Sequence, residues 1–305
     1  MNKKIKLIIV GSIGLDTIET PRHKKETILG GSLSYACLAA SFFTKVGMVG
    51  VVGTDFPKKY VNLYKGFGVN MEGLQHVPGK TFRWHGVYDK DMINRRTVST
   101  DLNVFAAFTP ELPASYRDAE MVMLGNISPN LQIHVLDQMK KPRFVVADTM
   151  DLWINNARGT LVELIGRVDM LTLNDSEARL LTDKHNLKEC ARIIMKMGPK
   201  YVVIKKGEHG AILFWKEGTF IVPAYPLDEV MDPTGAGDSF AGAFMGCLAE
   251  CGGRGADCIK TAMLHASVVA SFGVEDFSVE RFHKLDRKTI KKRVDELKKM
   301  IMPPR

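Results

Sequence analysis

The chain has 305 residues, 45% of them apolar and 25% charged, which is enough for a large buried core and excludes intrinsic disorder. The net charge is +8, but nine Lys or Arg against three Asp or Glu fall between Lys284 and Arg305. That excess predicts a solvated face of a terminal helix rather than a nucleic-acid reading surface. The apolar run after the basic start is only Leu7–Val10, and no stretch reaches the roughly 18 apolar residues of a membrane span, so a cytoplasmic protein without a membrane partner is expected.

In chain order, "IKLIIVGSIGLD" (Ile5–Asp16) is a continuous apolar strand closing on Gly-Ser. Continuous apolarity, without alternation, fits a parallel strand covered on both faces. A helix of small and apolar residues is expected after the glycine pair in "GGSLSYACLAASFF" (Gly30–Phe43), then a strand and turn in "KVGMVGVVGTD" (Lys45–Asp55). Further strands are expected at Met121–Leu124, Phe144–Ala147, Met170–Leu173, Tyr201–Lys205 and Ala211–Phe214, most of them separated by helix-length segments. This is the βα alternation of a doubly wound sheet.

One region breaks the rhythm. "TFRWHGVYDKDMINRRTVSTDLNVF" (Thr81–Phe105) reads as two strands joined by a polar turn near Lys90–Asn94. In the second, Val98, Leu102 and Val104 share one parity and Arg95, Thr97, Ser99, Asp101 and Asn103 the other, an antiparallel ribbon with one wet face. It is either a flap over a pocket or an edge hairpin of the main sheet. The five cysteines (Cys37, Cys190, Cys247, Cys251 and Cys258) are odd in number and lack CxxC spacing, so buried reduced thiols are expected.

Phosphate chemistry narrows to one stretch. There is no GxxxxGK[ST], and "GSIGLD" is not GxGxxG, which leaves P-loop and nicotinamide readings unsupported. "DPTGAGDSFAGAFMG" (Asp232–Gly246) instead sets a tight glycine turn at a helix start. Free N–H groups and the positive dipole end would there face an anion. Asp238, in the first turn, is either a dipole-stabilised cap or a base taking a proton from an attacking hydroxyl.

This stretch resembles the second signature of the PfkB carbohydrate kinases, the ribokinase-like sugar and nucleoside kinases. Gly30-Gly31 resembles the family's N-terminal glycine pair, "NDSEA" (Asn174–Ala178) its NxxE element, and "IKKGEHGA" (Ile204–Ala211) its nucleotide-side strand and turn. These lie in family order along nearly the whole chain. The resemblance implies a single ribokinase-like domain over residues 1–305. Its fold would be an α/β, three-layer α/β/α Rossmann-like core with a small β-sheet lid from segments 15–29 and 81–105, the first short enough to suggest a reduced lid.

By position, the resemblance assigns Asp238 as catalytic base and the backbone of Gly235, Ala236 and Gly237 as the anion hole. Asn174 and Glu177 match groups that organise Mg2+ and its waters near ATP, Glu177 through water. Lys205, Gly207 and Gly210 line the nucleotide side with Asp232 and Thr234, and His265 lies on the helix bordering adenine. Asp232 either braces the loop or serves a structural cation; many relatives place K+ nearby.

Asp16, Gly30 and Gly31 match the groups gripping the acceptor's hydroxyls, with Arg83, His85, Arg95 and Arg96 as lid candidates. The departure is Tyr35, where the family usually has Asn. Its ring would suit a nucleoside base or another polyol such as an inositol, or it packs in the core beside Leu38; Trp84 and Tyr88 would add aromatic surface if they point inward. The expected function is ATP-dependent phosphorylation of a sugar, polyol or nucleoside hydroxyl, with a ligand-binding protein on the same fold as the alternative. Relatives often dimerise through the lid, so a lid-mediated homodimer stays open beside a monomer.

Overall fold

A computed structural model describes residues 5–252 and 255–302; Met1–Lys4 of the basic start, Gly253, Arg254 and the last three residues of the basic end lie outside the described residues. Thirteen strands are formed among those described: β1 (Leu7–Val10), β2 (Gly14–Glu19), β3 (Lys24–Gly30), β4 (Val46–Gly53), β5 (Asn70–Val77), β6 (Arg83–Tyr88), β7 (Arg95–Asp101), β8 (Met121–Leu124), β9 (Phe144–Asp148), β10 (Met170–Asn174), β11 (Tyr201–Lys205), β12 (Ala211–Trp215) and β13 (Gly218–Val222). The helices are α1 (Ser32–Ser41), α2 (Lys58–Gly66), α3 (Pro129–Gln138), α4 (Asp151–Asn156), α5 (Arg158–Ile165), α6 (Asp175–Thr182), α7 (Leu187–Lys196), α8 (Ala236–Cys251), α9 (Ala256–Gly273) and α10 (Arg287–Ile301).

Nine strands form one sheet in the order β13-β12-β11-β10-β9-β8-β1-β4-β5, parallel except for the pairs β11–β12 and β12–β13. The apolar runs are continuous because the sheet is buried on both faces. Leu7 and Ile9 of β1 point into one core, with α1, α8 and α9. Ile8 and Val10 point into the other, with α3, α5, α6 and α7. Chain progression reverses between β1 and β8, and α8 packs over that boundary. In open parallel sheets such a switch point is where ligands bind.

A second, four-stranded sheet, β3-β2-β6-β7, stands apart as the lid. β2 and β6 run parallel at its centre, with the two antiparallel edges β3 and β7 outside them. Four strands make the lid fuller than the short first segment suggested. The expected wet and dry faces of β7 do not appear. Every residue of β7 is exposed, and the turn of 3₁₀ helix at Asn103–Ala107 takes Val104 out of the strand pattern. An edge strand over solvent has no second layer to give one of its faces burial.

The cysteines also depart from expectation. Cys251 and Cys258 are joined by a disulfide, with Cα atoms 6.2 Å apart, while Cys37, Cys190 and Cys247 are free and buried. The helical hairpin of α8 and α9 brings the end of one helix to the start of the next. Spacing along the sequence does not reveal that meeting. Among the described residues no helix is long and apolar enough to cross a membrane.

The position of α8 depends on two bare backbone contacts. A β-carbon on Gly242 would stand 2.2 Å from the Ala36 carbonyl oxygen, and one on Gly246 would stand 2.6 Å from that of Ala40. The two helices therefore touch backbone to backbone. Gly242→Val is expected to lower stability by at least about 3 kcal/mol, because neither helix can yield without opening the core. A melting temperature within a degree of the unchanged protein in thermal denaturation would refute this packing.

Candidate active site

Helix α8 opens on a left-handed residue. Gly235 is the N-cap with φ 74°, and it lies directly against the Tyr35 ring: a β-carbon there would meet the ring at 2.4 Å. Glycine is needed for the backbone angle and for the contact. The N–H groups of Ala236 and Gly237 open the helix, and Asp238 sits in its first turn. Two segments brace the loop before it. One Asp232 carboxylate oxygen accepts from Thr234 N–H at 2.9 Å, and the other accepts from Ser278 N–H at 3.2 Å. Asp232 is therefore the brace of the turn, buried to 1% exposure.

Three neighbouring parallel strands deliver polar groups to the same edge. β9, β10 and β11 end on Asp148, Asn174 and Lys205. The Lys205 ammonium donates to both Asp148 oxygens at 3.2 and 3.3 Å, and a β-carbon on Gly237 would stand 3.1 Å from Lys205 Nζ. So the ammonium lies at the mouth of the glycine turn. Burial pulls its pKa down, but Asp148, Glu177 and Asp238 outweigh burial and hold it above the usual lysine range.

The carboxylates respond to the same surroundings. Burial pushes Asp238 up to about 7; the charge of Asp148 adds to this, and Lys205 and Arg95 oppose it. Burial likewise pushes Glu177 up to about 7, against Lys205. Asn174 and Glu177 form a capping box at the head of α6: Asn174 Oδ1 accepts from Glu177 N–H, and Glu177 Oε2 accepts from Asn174 N–H, both at 2.7 Å. That leaves the other Glu177 oxygen outside the box. Among the described residues no three acidic, His or Cys side chains gather into a metal cluster.

Across the turn lies a second buried carboxylate. Asp16 of β2 is 3% exposed and lies over Gly30, beside the Gly31 N-cap of α1. Burial pushes it up to about 7, with the Asp232 charge adding and backbone donors at Trp84 and Gly31 opposing. Its Oδ1 and the Tyr35 hydroxyl are buried with no hydrogen-bond partner. Buried polar atoms without a partner are rare in folded proteins, and here two of them lie near the head of α8.

Residues 8–275 match the family described as pfkB family carbohydrate kinase. The chain belongs to the pfkB carbohydrate kinase family. It is 38% identical to a nucleoside kinase of Methanothermobacter thermautotrophicus over 306 aligned residues, covering 90% of this chain and 91% of that protein. It is 33% identical to a cytidine kinase of Thermococcus kodakarensis, covering 78% and 87%. The structure of a Burkholderia thailandensis nucleoside kinase in complex with inosine superposes with a TM-score of 0.77 at 20% identity, covering 95% of this chain and 98% of that one.

In this pfkB-family chain the pleat sorts the lid candidates. Tyr88 and Arg95 are cross-strand partners, and the Arg95 guanidinium lies 5.9 Å from the centre of the Trp84 ring. Trp84 and Tyr88 thus face inward. Arg83 and His85 have the opposite parity and turn outward. Arg83 bonds Asp55 at 3.2 Å and His85 bonds Glu19 at 2.9 Å, so neither joins the pocket. Arg96 is exposed and directed away from Arg95's side.

His265 is also displaced. Its ring packs edge-on against Phe43 and its Nδ1 bonds Thr261 O, whereas Ser267 of the same helix reaches Pro223 O beyond β13. Positions two apart on a helix point nearly opposite ways, so Ser267 rather than His265 meets the strand side. Gly207 and Gly210 occupy the turn after β11, both with positive φ. Tyr35 is 2% exposed, and its ring is spent on Gly235, so the ring itself offers no stacking surface. Asp148 went unnoticed in the sequence. An acid closing an apolar parallel strand is the signal that marks it.

Two outcomes test this electrostatic arrangement. Asp238 carries a proton below about pH 7 and cannot then act as a base. Acceptor kcat/KM should therefore rise with pH up to that region, falling about tenfold per unit below it; a flat profile from pH 5.5 to 8 would contradict the assignment. Asp16 binds its proton more tightly folded than unfolded, so its contribution to stability is present at low pH and lost as pH rises through about 7. Asp16→Asn should raise the Tm at pH 8, flatten its fall with pH, and abolish phosphorylation of the acceptor.

Proposed function

We propose that this chain is an ATP- and Mg2+-dependent nucleoside kinase, transferring the terminal phosphoryl group of ATP to a hydroxyl of a nucleoside. The observation that carries the reading is the Gly235–Asp238 turn at the head of α8, with the Lys205 ammonium at its mouth and Asp238 in its first turn. A helix N-terminus and a buried ammonium together stabilise charge developing on a transferring phosphoryl group.

Each residue then has a task. Asp238, raised into the neutral range, takes the proton of the attacking hydroxyl. The N–H groups of Gly235 and Gly237 donate to the phosphoryl oxygens, while that of Ala236 is held by Pro233 O at 3.2 Å. Asp148 holds Lys205 in place, and Glu177 with Asn174 would hold the waters of Mg2+, which neutralises phosphate charge when bound. Asp16 Oδ1 and Tyr35 Oη meet acceptor hydroxyls.

The nucleoside assignment draws on the names of the two relatives and on the inosine complex of the superposed kinase. Trp84, half-buried on the inner lid face with Arg95 beside it, offers an aromatic plane for a base. The test is ATP consumption with cytidine, inosine, adenosine, ribose and myo-inositol, with and without Mg2+. Nucleosides should exceed ribose and inositol by about tenfold or more in kcat/KM; the reverse order would overturn the substrate class. Lys205→Met should lower kcat by about a hundredfold or more with the fold retained, as loss of one transition-state donor does elsewhere.

A further inference from the structure

Among the described residues the lid reaches the 232–238 turn directly through one side-chain hydrogen bond. Tyr88 closes β6, and its Oη lies 3.0 Å from Thr234 Oγ1. Thr234 is the residue before Gly235, the N-cap of α8. Everything else that fixes this loop comes from core segments: Asp232 through Thr234 N–H, Ser278 N–H on Asp232, and Ala236 N–H on Pro233 O at 3.2 Å. Tyr88 reaches the loop from the lid directly, and Ser278 is a second, indirect link, since its Oγ donates to Leu29 O of β3.

Its ring is fixed as well. Tyr88 is 6% exposed and packs with Ile18 of the lid and Phe277 of the core, with Trp84 and Met231 alongside. This small apolar cluster is separate from the two large cores, and it joins the two sheets' territories. Arg95, the cross-strand partner of Tyr88, brings a cation to the same side. A buried hydroxyl pair is directional and short-ranged, so it exists only with the lid seated.

We propose that Tyr88 is a positioning residue: its hydroxyl latches the seated lid to Thr234 and thereby holds the Gly235–Asp238 turn in the geometry that accepts the phosphoryl group. The turn is then completed from two sides, by the Tyr35 ring beneath Gly235 and by the Tyr88 hydroxyl on Thr234. Lifting the lid removes one support of the anion hole, so transfer is coupled to enclosure of the acceptor. Water in an open site meets an incomplete turn. The proposal rests on the kinase reading of this site but not on which acceptor it takes.

Tyr88→Phe keeps the ring and deletes the hydroxyl, and Thr234→Val deletes the partner at nearly constant shape. With MgATP and either cytidine or ribose, each variant should lose about fivefold to tenfold in kcat, the scale of one hydrogen bond, while KM for MgATP stays within about twofold in Tyr88→Phe, whose residue lies in the lid. The double variant should be no slower than the single ones, because both delete the same bond. Amide exchange across residues 232–238 should quicken in each variant and stay unchanged in β1 and β4, with Tm within about 2 °C of the parent. Unchanged exchange in that segment overturns the latch whatever the acceptor, as does a double variant whose loss is the product of the single losses. If the parent phosphorylates none of cytidine, inosine, adenosine and ribose, the nucleoside reading fails, and the exchange measurement still decides the latch.

Discussion

Helix α8 can stand where it does only because no side chain separates it from α1. Ala36 and Ala40 face Gly242 and Gly246, and the backbones meet there. That contact sets the line of the helix, which packs on β1 and β8 and brings Gly237 beside Lys205. An anion site at a helix N-terminus is made of backbone groups, so its accuracy is the accuracy of the helix position. Any larger residue at these glycines would move the turn away from Lys205 as well as loosen the core.

Given that position, charge organises the rest. A lysine ammonium buried among three carboxylates would be a poor bargain for stability alone, since apolar residues of the same volume usually serve as well or better. Here the arrangement does something else. Asp148 satisfies the ammonium with both of its oxygens, and burial raises Asp238 and Glu177 into the neutral range against the pull of Lys205. The site therefore holds one fixed cation next to two carboxyl groups that change charge near neutral pH. A polyphosphate entering this edge finds a cation it does not have to recruit, and a base whose affinity for a proton suits a hydroxyl donor.

The strands and the glycine turn were legible because each is local, whereas Asp232 stayed open between cation site and brace because its partner Ser278 is distant in sequence. Continuous apolarity marks a two-sided sheet, and Gly-Ala-Gly-Asp at a helix start marks an anion turn. What was not legible depends on direction across space. The sequence of β6 contains Arg83, Trp84, His85 and Tyr88 with no sign of which parity faces in. The partners on β2, with Ile18 inward and Glu19 outward, decide it. His265 failed for a related reason: family position names the helix but not the face, and two residues turn that face around. The meeting of Cys251 with Cys258 needed the helical hairpin, and Asp148 mattered only once β9 and β11 lay one strand apart.

Tyr35 shows how one substitution reshapes such a site. An amide at this point of α1 would be small enough to reach an acceptor and find partners of its own. The phenol ring instead fills the space under Gly235, which makes α1 part of the support of the anion turn. Its hydroxyl is left buried without a partner, as is Asp16 Oδ1. Burying unpartnered polar atoms costs stability, and under the proposed function an acceptor recovers that cost by supplying hydroxyls to both. Discrimination then comes from the groups an unsuitable acceptor leaves unpaired, which is a sharper filter than the fit of an apolar wall. Under the proposed function, support of the turn and selection of the acceptor are thus carried by opposite ends of the same side chain.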